Sequence, residues 1–110
     1  MRRKNGTALV KNEELVLATA LHLFNAGETE FHGYRLNQVL RDRDRPLVAS
    51  TLYRVLARLE DRQLVSSSWM QRPGSDQWRR VHELTSSGIE AATEVVRKLE
   101  AAALEARPAW

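Results

Sequence analysis

Three residues near the middle of the chain, Ser50, Thr51 and Arg54, combine short hydrogen-bonding side chains with one long cation. At 100° per residue, Ser50 and Arg54 fall opposite an apolar stripe of Leu and Val residues on a predicted helix. Arginine, serine and threonine on such a face can hydrogen-bond to base edges in the major groove of DNA. The same pattern also fits an ordinary solvated helix face, so these residues alone leave both interpretations open.

Four further arginines are candidate DNA contacts. Arg58 flanks the same helix face, Arg72 precedes the polar turn at residues 73–76, and Arg79 and Arg80 follow that turn. Neutralising phosphates requires only reach and positive charge, which all four can supply. For Arg79 the alternative is a charged strand edge that prevents edge-to-edge aggregation.

The distribution of charge along the chain favours a polyanionic partner. Residues 1–80 contain 14 Lys and Arg against 9 Asp and Glu, a net charge of +5, whereas residues 81–110 contain 3 against 5, a net charge of −2. A basic body with a mildly acidic tail indicates different tasks for the two parts. Solvated charged faces would explain the bias equally well. Arg2, Arg3 and Lys4 lie in a flexible basic arm that either follows DNA or is solvated.

The sequence offers no recognisable catalytic or cofactor chemistry. It contains no cysteine, which excludes disulfides, thiolate zinc sites and a cysteine nucleophile. His22, His32 and His82 are too scattered for a metal motif. We therefore expect no enzyme activity, cofactor or metal. Without an apolar run near the ~20 residues of a membrane span, and without a signal peptide, we expect a cytoplasmic protein that does not contact membranes.

Periodicity predicts the helices that carry these residues. The first helix is capped by Asn12 and ends at residues 25–27, and the second spans about residues 32–43. Pro46 cannot continue that helix. A third helix begins near Ala49 or Ser50 and runs to about residue 62, with its apolar stripe turned inward.

A change from helical period to alternation predicts a β-hairpin after the third helix. Val65, Ser67 and Trp69 alternate, and a second alternating run covers residues 78–84. Trp69 and Trp78 are expected to pair across this hairpin. Three helices, a hairpin and a last helix predict a mainly α fold with a two-stranded β wing, which is the element order of a winged helix-turn-helix.

Several runs of residues together resemble the PadR-type transcriptional regulators. They are Gly33–Leu36, Ser50–Glu60 (STLYRVLARLE) and Leu84–Gly88 (LTSSG), with Leu64-Val65, Trp69 and Arg79-Arg80 in the expected order between them. The likeness covers about residues 13–100. It departs at Gln63, where many relatives have Gly, and at Val81-His82, where many have two aromatic residues. These departures concern the end of the third helix and the packing of the strand.

The resemblance implies a homodimeric regulator, commonly a repressor, whose third helix enters the major groove while the wing contacts flanking DNA. It makes Ser50, Thr51 and Arg54 the candidate base readers, and Tyr53 a candidate phosphate contact through its hydroxyl. Alternatively, the Tyr53 ring is half-buried and packs against the second helix. The phosphate contact and this packing are compatible. A relative that binds flat aromatic drugs would use Trp at its dimer interface. In this chain only Trp110 lies beyond the last helix, so no effector pocket is inferred.

The last predicted helix, Ser86 to Ala106, carries apolar residues spaced 3, 4, 3, 4 and 3 apart, as in a coiled-coil seam. These residues are Ile89, Ala92, Val96, Leu99, Ala103 and Ala106. The seam fits a dimer interface or packing on the chain's own first helix, for which Val95 and Ala102 form a neighbouring face. The resemblance to dimers favours two faces for two partners.

These observations divide the chain into a flexible basic arm (1–11), a DNA-binding winged helix-turn-helix (12–84) and a C-terminal dimerisation helix (85–110). A homodimer with two-fold symmetry predicts an inverted-repeat operator. The main alternative is a winged-helix module that binds another protein. The basic wing and the positive third helix favour double-stranded DNA as the partner.

Overall fold

The computed structural model describes residues 9–106 as four helices and a two-stranded antiparallel sheet. The elements are α1 (Lys11–Asn25), α2 (Gly33–Asp42), α3 (Ala49–Asp61), β1 (Val65–Gln71), β2 (Trp78–Leu84) and α4 (Ser86–Glu105). Their order and type confirm the predicted mainly α fold with a β wing. The predicted arm cations Arg2, Arg3 and Lys4, and Trp110, lie outside the described residues. No helix within residues 9–106 is long and apolar enough to cross a membrane.

The first helix begins earlier than the sequence predicts. Its N-cap is Val10, and Asn12 lies within the first turn, so the prediction that Asn12 caps the helix is wrong. The backbone N–H of Val10 donates to Glu13 Oε1 at 3.1 Å. Because this carboxylate satisfies one of the free amides at the helix start, α1 needs no capping side chain at residue 12.

One core holds the helices and the base of the hairpin together. It is formed by the apolar stripes of α1, α2 and α3, closed by Val65 and Leu84 at one end of the hairpin and by Ala92 and Val95 of α4. Its largest fully buried side chains include Leu17, Leu23, Leu36, Leu40, Leu52, Leu56 and Leu59. Full burial of each such side chain contributes about 1.5–3 kcal/mol. The rest of the hairpin extends outward from this core.

The register of the hairpin differs from the expected tryptophan pair. Trp69 lies opposite Arg80, and Gln71 lies opposite Trp78, so the prediction that Trp69 and Trp78 pair directly is wrong. The register follows from a six-residue connection, residues 72–77, between the strands. Both indoles are 59% exposed. They share one face of the hairpin as diagonal neighbours, because successive side chains on a strand point to opposite faces.

A single extended residue, Phe31, pairs with β2 outside the hairpin. Phe31 and His82 exchange both backbone hydrogen bonds, with N···O distances of 2.9 and 2.8 Å. Their rings stack with centroids 5.9 Å apart and planes inclined by 22°. Both residues are buried. His82 therefore packs as an aromatic residue would, which explains how the strand accommodates histidine at this position.

The end of α3, the start of β1 and the start of α4 meet at one junction. Thr85 Oγ1 donates to the carbonyl of Gln63 at 2.7 Å and accepts from the backbone N–H of Gly88 at 2.9 Å. Gln63 itself takes the left-handed conformation, with φ of 62°, that glycine adopts more easily. A Cβ atom on Gly88 would lie 1.8 Å from the carbonyl oxygen of Leu64. Only glycine permits this approach of the two backbones.

Replacement of Gly88 by alanine should destabilise the whole domain. The new methyl group meets backbone rather than a movable side chain, so α4 or the turn at Leu64 must shift, at a cost on the order of 3 kcal/mol. Urea unfolding followed by circular dichroism measures the loss. Ser87→Ala, an exposed change on the same turn of α4, is the matched control and should remain close to the wild type. Equal stabilities of the two variants would contradict the proposed role of this contact.

Candidate nucleic-acid interface

The outward face of α3 carries the predicted base-reading residues. Ser50, Tyr53 and Arg54 are exposed and Thr51 is half-buried, while the opposite face of the helix is in the core. Ser50 and Thr51 lie in the first turn, because α3 begins at Ala49. The structure therefore places the three candidate base readers next to one another at the N-terminal half of the helix.

The connection between α2 and α3 is held by Asn37. Its Nδ2 donates to the carbonyl of Leu47 at 2.8 Å, and its Oδ1 accepts from the backbone N–H of Leu47 at 3.2 Å. This double hydrogen bond fixes the backbone two residues before α3 begins, and so fixes the position of the reading face relative to α2. Asn37 was not among the predicted functional residues, because an asparagine on a helix has no periodic signal.

Arg54 stands without an ionic partner on this face. Among residues 9–106 it makes no hydrogen bond or ion pair, and its side chain is exposed. An arginine presents five N–H donors in a planar fork. Arg54 is thus available to bind a ligand without first breaking a bond within the protein.

Tyr53 packs against the start of α2. A Cβ atom on Gly33 would lie 2.6 Å from the Tyr53 hydroxyl oxygen and 2.7 Å from the ring carbon that bears it. The ring therefore covers Gly33, which confirms the interpretation of Tyr53 as a ring packed on the second helix. Tyr53 remains 49% exposed. Contact between its hydroxyl and a phosphate stays a prediction.

Arg58 has a structural partner that the sequence does not reveal. Its Nε donates to Glu13 Oε2 at 3.3 Å, while Arg62 Nη1 donates to the other oxygen of the same carboxylate at 3.2 Å. Glu13 is only 4% exposed. A buried carboxylate needs such partners, because removing them leaves an uncompensated charge. Arg58 therefore joins α3 to α1, and contact between its half-exposed side chain and DNA stays a prediction.

The three arginines of the wing differ in their surroundings. Arg72 lies exposed at the end of the hairpin, where its Nη1 reaches Gln77 Oε1 only at 3.5 Å. Arg79 is half-buried and opposite Met70, on the face away from Arg80. Arg80 bonds to Ser67 and to Glu60 within the chain. Arg79 makes no hydrogen bond or ion pair among residues 9–106 but is half-buried, whereas Arg72 is exposed with only this weak hydrogen bond to Gln77.

The predicted dimer seam is split between core and surface. Ala92 is fully buried in the chain's own core, and Ile89 and Val96 pack at its edge. Leu99 is 53% exposed, and Ala103 is exposed. The prediction that Ala92 lies in the dimer interface is therefore wrong, because its side chain is already covered within the protomer. Val95 is buried in that core as expected. Ala102 is exposed, so the expectation that it packs there too is wrong.

This arrangement defines the class of protein. A helix with an unpaired polar face follows a second helix through a short turn, and a β-hairpin stands beside it, as in the winged helix-turn-helix proteins. The model of the transcriptional regulator PadR-like family matches residues 21–94. The chain belongs to this family, and it is therefore a transcriptional regulator.

Solved structures share the fold over most of the chain. A PadR family transcription regulator from Clostridium difficile R20291 is 21% identical with a TM-score of 0.65, and the match covers 86% of this chain and 92% of that one. A PadR family transcriptional regulator from Eggerthella lenta DSM 2243 is 28% identical with a TM-score of 0.59, over 82% and 80%. The circadian clock associated protein Pex from Anabaena is 21% identical with a TM-score of 0.61, over 84% and 80%. The comparison with curated sequences gave no match.

The buried His82 makes the stability of this fold depend on pH. Burial, and secondly the charge of Arg80, lower the pKa of His82 below its ordinary value of 6.5. Its Nδ1 has no hydrogen-bond partner among the described residues. Below pH ~6.5 the unfolded chain therefore binds more protons than the folded chain, so this contribution to stability is complete above that pH and is lost as the pH falls.

Replacement of His82 by phenylalanine should reduce this dependence. The stack on Phe31 is kept, while the group that titrates is removed. The free energy of unfolding, measured in urea between about pH 7.5 and 5.5, should fall for the wild type and stay flatter for His82→Phe. His22→Gln, a change at an exposed histidine, is the control and should follow the wild type. A decline as steep in His82→Phe as in the wild type would show that other groups cause it.

Proposed function

We propose that the chain is a sequence-specific DNA-binding repressor that binds an inverted-repeat operator as a homodimer. The observation that carries this proposal is the outward face of α3, where Ser50 and Arg54 are exposed and have no bonding partner among the described residues. Polar side chains that project from such a helix and have no hydrogen-bond partner within the protein can hydrogen-bond to base edges in the major groove. Thr51 completes the proposed reading set.

Contacts to phosphate would fix the protein on the duplex without reading sequence. We assign this part to Arg72 at the tip of the wing, to Arg79 on its returning strand and to the hydroxyl of Tyr53. Arg58 is left out of this set, since it is bonded to the buried carboxylate of Glu13. The proposed interface thus joins a reading helix to a separate charged wing.

The second half of α4 supports the homodimer. All residues from Arg97 to Ala106 are exposed, and the part of α4 from Arg97 to Glu105 extends about 14 Å beyond the core at ~1.5 Å per residue. Leu99 and Leu104 are 53% and 64% exposed on it. This half of α4 has no tertiary packing within the protomer. Tertiary packing is the usual source of helix stability in proteins. A second copy of the same helix would cover Val96, Leu99 and Ala103.

The geometry of such a dimer predicts the form of its operator. Two identical α3 helices related by a two-fold axis read an inverted repeat. Both can enter the major groove on one side of B-DNA when the half-sites are about 10 bp apart, or a multiple of that. A dimer seated on a promoter blocks access to it, which supports repression as the outcome. A regulator of this kind acts on the chromosome, and we accordingly place it in the cytoplasm.

Binding of another protein through the wing is the alternative function. The two exposed indoles on the hairpin favour it, because exposed aromatic side chains are enriched at protein interfaces. The salt dependence of binding to duplex DNA separates the two functions. Phosphate contacts release counterions, so DNA affinity should fall steeply with salt if the main proposal is right.

Replacement of Arg54 by alanine should remove discrimination rather than general affinity. The difference in binding free energy between operator and random duplex should fall by ~1–3 kcal/mol if Arg54 makes a bidentate base contact. The operator is found by footprinting on the DNA upstream of the protein's own gene. Arg72→Ala is the matched control, since it should weaken binding to both duplexes evenly and lower the salt slope by about 1. Equal losses on the two duplexes for Arg54→Ala would exclude base reading.

Introduction of a charge at Leu99 should separate the dimer without unfolding the protomer. Leu99 lies outside the core, so Leu99→Glu leaves the intrachain packing intact but places an unpaired carboxylate in the proposed seam. Sedimentation should show a dimer for the wild type and a monomer for the variant, while urea unfolding of the variant stays cooperative because its core is intact. Glu100→Gln, at the next exposed position, is the control. A wild type that sediments as a monomer at micromolar concentration would refute the homodimer.

A further inference from the structure

We propose that Glu60, Ser67 and Arg80 form a clamp that sets the angle of the wing relative to α3. In this proposal Arg80 is a positioning residue for DNA binding and does not contact phosphate. The inference rests on the proposed function for its consequence at DNA, whereas the clamp itself is a property of the protein alone.

The clamp joins the last turn of α3 to both strands of the hairpin. Ser67 Oγ, on β1, donates to Glu60 Oε2 at 2.8 Å. Arg80, on β2, donates to Ser67 Oγ from Nε at 3.2 Å and from Nη2 at 2.8 Å, and its Nη2 lies 3.4 Å from Glu60 Oε1. The guanidinium also lies over the Trp69 ring, 5.5 Å from its centroid. One carboxylate of α3 therefore orients a hydroxyl and a cation of the wing.

The same residue is held from α2 as well. His32, the N-cap of α2, has its Nδ1 3.4 Å from the backbone carbonyl of Arg80. Arg80 is thus the point at which the returning strand meets two helices. Its charge is compensated by Glu60, and a compensated cation that is already hydrogen-bonded has less to offer a phosphate than the exposed Arg72.

Beyond this point the hairpin has little other support. Residues 68–80 are exposed or half-buried throughout, whereas Val65, His82 and Leu84 below them are buried. From Ser67 to Arg72 the strand extends about 17 Å, so a tilt of about 10° at the clamp would move the tip by about 3 Å. A displacement of that size is enough to take a guanidinium out of hydrogen-bonding distance of a phosphate.

The clamp and simple electrostatics predict opposite effects for Glu60→Ala. Removal of a negative charge from a DNA-binding protein should tighten binding if charge alone matters. If the clamp orients the wing, Glu60→Ala should instead weaken binding to a short duplex of mixed sequence several-fold and flatten its salt dependence. Asp61→Ala is the matched control, because it removes the same charge from the adjacent, exposed position of α3. Tighter binding by both variants would overturn the clamp.

A double-mutant cycle with Arg72→Ala tests whether the clamp acts through the tip of the wing. Arg72 makes no hydrogen bond to Glu60, Ser67 or Arg80, yet its replacement should cost much less in the Glu60→Ala background than in the wild type. The cost of Arg72→Ala should be reduced in the same way in the Arg80→Gln background. Additive effects of the two changes would refute positioning.

Hydrogen exchange provides a readout that does not involve DNA. Amides of the hairpin at residues 68–80 should exchange faster in Glu60→Ala, while those of α1 and α3 keep their protection. Unchanged exchange in the hairpin would refute the clamp even if DNA binding altered. If the wild type shows no salt-dependent binding to the duplex, the proposed function is wrong. Hydrogen exchange in the hairpin still tests the clamp in that case.

Discussion

The close approach of Gly88 to the carbonyl of Leu64 is the contact on which the architecture depends. It brings the start of α4 against the turn that links α3 to β1, and Thr85 bonds both sides of it. The direction of α4 is therefore set by the end of α3 and not by an independent linker. In the proposed dimer, where α4 carries the interface, this junction also decides how far apart the two α3 helices stand and how they are inclined to DNA.

Two acidic residues decide which arginines remain available to a ligand. Glu13 engages Arg58 across 45 residues of sequence, and Glu60 engages Arg80 across 20. The sequence separated Arg54 as a candidate base reader, but it gave no sign that Arg58 and Arg80 have carboxylate partners. The fold divides these three arginines: Arg58 and Arg80 lie beside buried or half-buried carboxylates and hold elements together, whereas Arg54 has no such partner among residues 9–106 and faces outward.

The helices and the wing could be predicted because each depends on local periodicity. The apolar stripe of α3 and the alternation of β1 and β2 follow from side-chain direction alone. The predictions that were wrong concern which particular atoms meet, and periodicity does not determine that. The N-cap of α1 is Val10 and not Asn12, because the Glu13 carboxylate accepts a hydrogen bond from the Val10 N–H. Trp69 and Trp78 do not lie opposite each other, because the connection between the strands sets a different register. The outward placement of Ser50 and Arg54 was predictable, whereas Asn37 and Ser67 gave no sequence signal for their roles.

The last helix shows how a regular pattern can be assigned to the wrong geometry. A 3-4 spacing indicates that a helix has an apolar stripe, but it does not indicate whether the same chain or a second copy covers that stripe. The expectation of two faces for two partners assumed a division around the helix. The structure divides it along its length: Ala92 and Val95, on neighbouring faces, are both buried, and Leu99 and Ala103 further along are both exposed. The first half of α4 thus belongs to the core of the winged domain, so a boundary placed at residue 85 cuts through that core. A rigid connection follows, because the same helix that completes one protomer would continue without interruption into the contact with the other.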